Sequence, residues 1–439
     1  MTRAERSDTP IASRGVQSLV LRGAEIGAQA LLILVTARFL GPDGRGLYAL
    51  ASVAATLCVV PLGSVWSSLA IDVAKRRVPL GALATDAIVV AVLVAGMSWL
   101  LGDHWWVVAL PAAICPVLLW LTYVQGIYQA LGHVIAFHAV IVGRVVAPLV
   151  FLSAAIALGA GMVSTLVAWA ASFVALVPIF VVHLALIGGR PERPARRLGR
   201  YARRVLLGLR FVPTNTMLLL NTQVGLLGLA ALTTTKTVGV YSVAAAGSEL
   251  LKAGARAVYS SVLPGVGRRE QREAADLTAK AVRHSVLLGA IGAVVVVPAS
   301  TVLLPLLLGP GYGGTPGLLA LLVPAVLSYG AFLAVTAFFS VQVVRPELMS
   351  VASVLMLVST ILTMAVLVPS AGAAGAAVAT SVGGVVGAGL LARRFLRTTG
   401  LAVEALVPGR AEASAYVTLA RGAITRIVRR RAEPAAGQA

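Results

Sequence analysis

Two short ladders of charge inside apolar runs are the residues of this sequence best placed to do chemistry. In the first run Arg22 and Glu25 lie three residues apart, and Gln29 follows one turn later. Further on, Glu249, Lys252 and Arg256 repeat that spacing. Residues separated by three, four and seven positions share one face of a helix, so each set is a polar stripe. A charge at mid-bilayer costs about 2.5–3.5 kcal/mol on insertion scales, so such a stripe faces protein or a wet cavity. Cations outnumber carboxylates in the two stripes, and a net-positive cleft of low dielectric concentrates anions such as phosphate groups. The opposing reading is structural: Arg22 with Glu25, and Glu249 with Lys252, neutralise one another and brace the helices.

Further polar groups interrupt other apolar runs. Arg144 lies about two turns inside one of them, and Asn215, Asn221 and Gln223 lie in another. The three amides either line a cleft or hydrogen-bond between helices. Arg210 and Arg283, nearer the ends of their runs, are expected to snorkel to headgroups. His133 and His138 flank a turn and read as interfacial, and His104, Trp105 and Trp106 read as an aromatic belt. Cys58 and Cys115 fall inside apolar runs as inert thiols. The sequence holds no phosphate-binding GxxxxGK[ST] loop and no HExxH, so it predicts no enzyme, no metal and no cofactor.

These groups stand in a chain that is 59% hydrophobic and 12% charged, with mean hydropathy +0.93. Soluble chains carry about twice that charged fraction. The net charge of +20 sits in short clusters between apolar runs, which points to anionic membrane lipids and away from nucleic acid. Backbone polar groups must be paired internally in hydrocarbon, which takes about twenty apolar residues per helix. About twelve segments qualify: 15–39, 46–73, 80–101, 105–131, 137–158, 162–188, 205–231, 239–264, 281–308, 316–341, 348–369 and 375–392. Residues 1–14 precede them, 190–204 form a basic linker and 398–439 a basic tail, within which 411–431 reads as an amphipathic or disordered segment. Alternate loops carry nearly all the basic charge, while the opposite loops hold Arg45 and Lys236. The positive-inside rule then puts both termini in the cytoplasm of a bacterial inner membrane.

A repeat organises the spans. Gly46-Leu47-Tyr48-Ala49-Leu50-Ala51 matches Gly239-Val240-Tyr241-Ser242-Val243-Ala244, and at the same offset Lys75-Arg76 matches Arg268-Arg269. The second span therefore corresponds to the eighth. The expected fold is an all-α polytopic membrane protein with two six-helix lobes, 15–189 and 205–397, related by a parallel repeat.

The stretch Ala37-Arg38-Phe39-Leu40-Gly41-Pro42-Asp43-Gly44-Arg45-Gly46-Leu47-Tyr48 resembles the first helix-to-helix turn of the polysaccharide-unit flippases. Those are the O-antigen and teichuronic-acid type transporters within the multidrug, oligosaccharidyl-lipid and polysaccharide exporter superfamily. Thr237 to Ala244 and Leu306-Leu307-Leu308-Gly309-Pro310-Gly311-Tyr312 are similar to second-half signatures of that family. One departure is that Asn221, Thr222 and Gln223 stand where the family often has charge. The resemblance implies two lobes rocking about a central cavity and moving a polyprenyl-pyrophosphate-linked glycan to the outer leaflet. Arg22, Lys252 and Arg256, with Arg144, would receive the anionic substrate. Glu25 and Glu249 would couple or tune, and Asn215, Asn221 and Gln223 would touch sugar hydroxyls. Glycosyltransferases or a polymerase of the pathway would be partners. A cation-coupled multidrug exporter, a lipid II flippase and a non-transporting scaffold are the alternatives.

Overall fold

The computed structural model describes residues 11–70, 106–130, 133–187, 212–343, 346–409, 412 and 414. The expected span at 80–101, the linker 190–204, His104, Trp105, Arg210 and nearly all of the tail helix at 411–431 lie outside these residues. Within the described residues, every other expected span falls on helix.

Two of the longest helical runs are hairpins turned at a glycine. The run Ile11–Ala70 bends at Gly41 (φ 66°) into α1 (11–40) and α2 (42–70). Nine residues of straight helix span about 13.5 Å, yet Arg45 reaches Thr36 at 2.8 Å, so the chain folds back on itself. Positive φ is costly for any side chain with a Cβ, which is why a glycine makes this turn. Pro346–Thr399 does the same at Gly372 (φ 53°), giving α12 (346–371) and α13 (373–399). A Cβ on Gly375 would lie 2.5 Å from the Leu367 carbonyl, and one on Gly383 would lie 2.7 Å from that of Met356. The absent side chains thus let these antiparallel helices touch backbone to backbone.

Between the hairpins run α3 (Trp106–Ala130), α4 (Val134–Ala157), α5 (Met162–Ile187), α6 (Val212–Leu232), α7 (Thr235–Leu251), α8 (Ala253–Arg268), α9 (Gln271–Leu308), α10 (Thr315–Leu321) and α11 (Val323–Val341). Two expected single spans are divided. The segment expected at 239–264 breaks at Lys252 into α7 and α8, and that at 316–341 breaks at Leu322 into α10 and α11. In the second case Pro324 opens α11, a position that needs no N–H. Helix α9 begins ten residues before the expected span because a polar turn precedes its membrane stretch. That turn packs inward through Ala274, Ala275, Thr278 and Ala279.

Burial identifies the solvent. The most apolar window of α9 has mean hydropathy 2.4 but is only 17% buried, and Val294 and Leu306 are more than 70% exposed. Water would penalise that surface by about 25 cal/mol per Å², whereas lipid accepts it. The chain is a multi-pass membrane protein. Its interior holds two main apolar clusters. One gathers Tyr48, Tyr128, Trp169, Phe173 and Phe180 among α2, α3 and α5. The other gathers Phe338, Phe339 and Phe395 between α11 and α13. Cys115 is fully buried in the first, as its apolar context predicts.

Candidate functional site

The two halves meet most tightly at the end of the bundle that carries the Gly41 turn, and the repeat explains how. Gly46 and Gly239 occupy equivalent positions of the matched segments. A Cβ on Gly46 would sit 2.0 Å from the Thr235 carbonyl oxygen, and one on Gly239 would sit 1.8 Å from that of Pro42. Pro42 and Thr235 are themselves separated by the repeat offset, so two copies of one surface face each other across a pseudo-two-fold axis. Three side-chain hydrogen bonds ring the contact. Arg45 Nε donates to Ser242 Oγ at 3.2 Å, Thr235 Oγ1 to Asp43 Oδ1 at 3.0 Å, and Tyr312 OH to the Ala37 carbonyl at 3.1 Å. Tyr312 is delivered by the Gly309-Pro310-Gly311 turn, with Gly309 at φ 95°.

Arg45 is not the loop cation that its place after a turn suggests. It is 6% exposed, donates also to Thr36 and stands 5.1 Å above the Tyr48 ring. No carboxylate pairs with it among the described residues. Its charge is held by hydroxyls and a ring face, an arrangement that depends on both halves being in contact.

The second polar stripe is a closed ion cluster with one open side. Glu249 accepts from Lys252 Nζ at 2.7 Å and pairs through its other oxygen with Arg256. Tyr329 of α11 completes the group: both cations lie over its ring, at 5.2 Å and 5.6 Å, and Arg256 Nε donates to its hydroxyl at 3.3 Å. One carboxylate serves two cations, so the cluster retains a positive charge. Lys252 is buried, but the Arg256 side chain remains 42% exposed. The break at Lys252 aids this gathering. Its backbone stays helical while the chain passes from α7 to α8, keeping all three charges on one side.

Glu25 and Gln29 belong to a different space. Together with Tyr48, Gln125, Arg144 and Trp169 they line a cavity of 520 Å³ whose described walls come from N-terminal helices. Gln29 Nε2 donates to Glu25 at 3.4 Å, and Arg144 Nη1 donates to Thr122 at 3.4 Å. Among the described residues, none of Glu249, Lys252 and Arg256 borders that cavity. The side chains of Arg22 and Asn215 lie outside the described residues. Asn221 is buried and donates to the Ser353 carbonyl of α12 at 3.0 Å, bracing two helices. Gln223 is half-buried in α6. His133 is exposed, but His138 is buried beside Phe137, because α4 turns that face inward.

Arg283 also departs from expectation. It does not extend to headgroups: Nη1 donates to the Ala405 carbonyl at 2.7 Å and Nε to Glu412 at 2.5 Å. The segment after α13 is thereby strapped across α9, with Leu401 and Leu406 packed on the second apolar cluster. The backbone N–H groups of Glu412 itself and of Gly409, then Arg283, hydrogen-bond the Glu412 carboxylate and hold it below the usual carboxylate range. Sequence reading quoted Tyr312 only as part of a signature turn, and it missed Tyr329, Trp169 and Gln125. Each is one aromatic or amide within an apolar run and carries no charge signal.

Helical hairpins, matched segments in contact and polar groups collected within the bundle define a multi-pass helical membrane architecture. Comparison with solved structures bears this out at the level of fold. The chain is similar to lipid II flippase MurJ in an inward closed conformation, with TM-score 0.71 and 12% identity over 88% of this chain and 89% of that one. It is also similar to a multidrug resistance MATE family transporter of the MOP superfamily. Against the inward-facing conformation the TM-score is 0.66, with 14% identity over 87% of this chain and 98% of the other. Against an outward-facing conformation it is 0.59, with 16% identity over 88% and 95%. No family model and no curated protein matches the sequence. The fold is similar to that of these solved structures.

Proposed function

We propose that this chain is a flippase that carries a polyprenyl-(pyro)phosphate-linked oligosaccharide from the cytoplasmic to the outer leaflet of a bacterial cell membrane, for cell-surface polysaccharide synthesis. The observation that carries the reading is the Glu249–Lys252–Arg256 cluster, which keeps a net positive charge and leaves Arg256 half exposed inside a membrane-embedded bundle. A guanidinium with free N–H donors binds phosphate oxygens bidentately. Arg22 and Arg256 receive the pyrophosphate, Lys252 adds field from beneath, and Glu249 holds both C-terminal cations in place. Lobes 15–189 and 205–397 rock about the contact at Gly46 and Gly239. The charge distribution of the loops puts that sealed end outside, so the described conformation faces inward and awaits substrate from the cytoplasm. An ion gradient or the membrane potential drives the return, and glycan-assembling enzymes on the cytoplasmic face supply the cargo.

Deletion of the gene is expected to leave lipid-linked glycan accessible only from the cytoplasmic side. Arg256→Ala, with the protein still in the membrane, is expected to reproduce that state. Outer-leaflet glycan at normal levels in both strains overturns the reading. A cation-coupled drug exporter is the second reading, favoured by the Glu25 carboxylate in a cavity walled by Tyr48, Trp169 and Phe173. It predicts dye efflux that Glu25→Gln abolishes, while glycan export is untouched.

A further inference from the structure

The cavity within the N-terminal half has a chemistry that the export reading leaves without a stated part of the substrate. Its volume of 520 Å³ falls within the range of small-ligand pockets, about 300–1,000 Å³. Arg144 of α4 lines it, and the side chain of Arg144 makes one hydrogen bond among the described residues, the long one to Thr122. Thr122 is itself tied to the Leu118 carbonyl at 2.9 Å, so its hydroxyl oxygen can accept but cannot neutralise. Glu25 stands between exposed positions of α1, at the rim. It is bound to Gln29 and forms no ion pair with Arg144. Across the cavity, Gln125 has no side-chain hydrogen bond among the described residues. Trp169 and Tyr48, packed edge to face with centroids 6.0 Å apart, form an aromatic wall.

Each candidate guest can be weighed against these walls. An apolar guest would leave the Arg144 guanidinium and the Gln125 amide desolvated without partners. A cationic guest would meet the charge of Arg144. A small inorganic anion would leave most of the volume and the aromatic wall unused. A saccharide satisfies all of them: its C–H faces lie on aromatic rings and its hydroxyls bond amides, Thr56 and Glu25. A carboxylate or phosphate substituent matches the planar donor fork of arginine.

We infer that the N-terminal cavity is a saccharide subsite specific for an acidic sugar, a uronic acid or a sugar phosphate, with Arg144 as the counter-charge. Its role in transport rests on the glycan export proposed above, while the binding itself is measured independently of export.

Full-length protein in lipid nanodiscs is titrated calorimetrically with methyl β-D-glucuronide, glucose 1-phosphate and methyl β-D-glucoside. The two acidic probes are expected to bind about 10- to 100-fold more tightly than the neutral one, the span of a charge-assisted hydrogen bond. Arg144→Gln removes the preference and leaves the neutral probe unchanged, and Arg144→Lys keeps part of it. Equal affinities for all three probes in the unmodified protein, or an intact preference in Arg144→Gln, overturn the inference. Gln125→Leu leaves the charge in place and is expected to weaken all three probes alike, and unaltered binding there counts against the subsite. A protein that prefers acidic probes yet moves no lipid-linked glycan in vesicles refutes the export reading and leaves the subsite standing. Export without any acidic preference does the reverse.

Discussion

Replacing Gly239 by Ala tests whether the contact at Gly46 and Gly239 is the seal of an alternating-access cycle. The added methyl would lie 1.8 Å from the Pro42 carbonyl oxygen and 2.8 Å from its carbon, both rigid backbone atoms. Ordinary contact for a Cβ begins at 3.4 Å, so the helices must part by about 1.6 Å. At that separation the Arg45–Ser242 and Thr235–Asp43 bonds, now 3.2 Å and 3.0 Å, exceed hydrogen-bond range. The arginine bond is worth about 1.5–3 kcal/mol and the neutral-to-charged hydroxyl bond about 1 kcal/mol or more. The closed end is therefore disfavoured by roughly 2–4 kcal/mol, about a 30- to 1,000-fold shift toward its open state. Spin labels at Leu158 and Lys236, both exposed and near this end, report the change by electron–electron double resonance. Cys58 and Cys115 are first replaced by Ala. The label distance should lengthen in Gly239→Ala and stay fixed in Gly161→Ala, where a Cβ meets nothing within 4 Å. An unchanged distance distribution in Gly239→Ala would show that the backbones can yield without separation, and the seal argument would fail.

Other perturbations follow from the same geometry. Arg45→Leu should lower the thermal stability of the purified protein and open the sealed end, whereas Arg45→Lys, which keeps the charge but loses the second donor arm, should fall between. Tyr312→Phe removes one hydrogen bond to Ala37 and is expected to cost about 0.5–1.5 kcal/mol in denaturant titration. Tyr329→Phe should leave Glu249, Lys252 and Arg256 paired but reduce export, because Arg256 loses a fixed partner and its head becomes mobile. The strap after α13 should respond to acid. Glu412 is depressed in the folded state, so its contribution is full above the unfolded carboxylate value near 4.3 and is lost as pH falls through the lower folded one. Hydrogen exchange over 401–409 should accelerate below that range, and Glu412→Gln should produce the fast exchange at neutral pH.

The spans were legible because lipid imposes one rule on every residue of a crossing helix, and water would rarely tolerate a run of twenty apolar residues. The turns at Gly41 and Gly372 were legible too, since Gly41-Pro42 and the run Pro369-Ser370-Ala371-Gly372 stop a helix without tertiary help. What escaped was whatever depends on which face of a helix points inward. Helices rich in Ala and Val have too little contrast between faces to show that His138 is buried or that Trp169 borders a cavity. Arg45 followed a turn and so looked like a surface cation, because nothing nearby in sequence announces Ser242, 197 residues away. Arg283 misled for the same reason, its carboxylate partner lying 129 residues downstream. The polar stripes were visible as stripes. That one of them would close on Tyr329 while Glu25 and Gln29 of the other border a cavity with Trp169 was not, since the spacing of charges says nothing about the neighbouring helix.

The pairing of Gly46 with Thr235, and of Gly239 with Pro42, is self-complementary in the manner of an isologous dimer interface. A single half displaying this patch would already carry what it needs to bind a second copy in parallel, with no adaptation of either surface. In a fusion of two such halves the inequalities lie elsewhere: Arg144 in the N-terminal cavity, and Glu249, Lys252 and Arg256 under Tyr329 in the other half. Likeness is kept where the two halves touch, and it lapses in the polar groups that each half carries away from that contact.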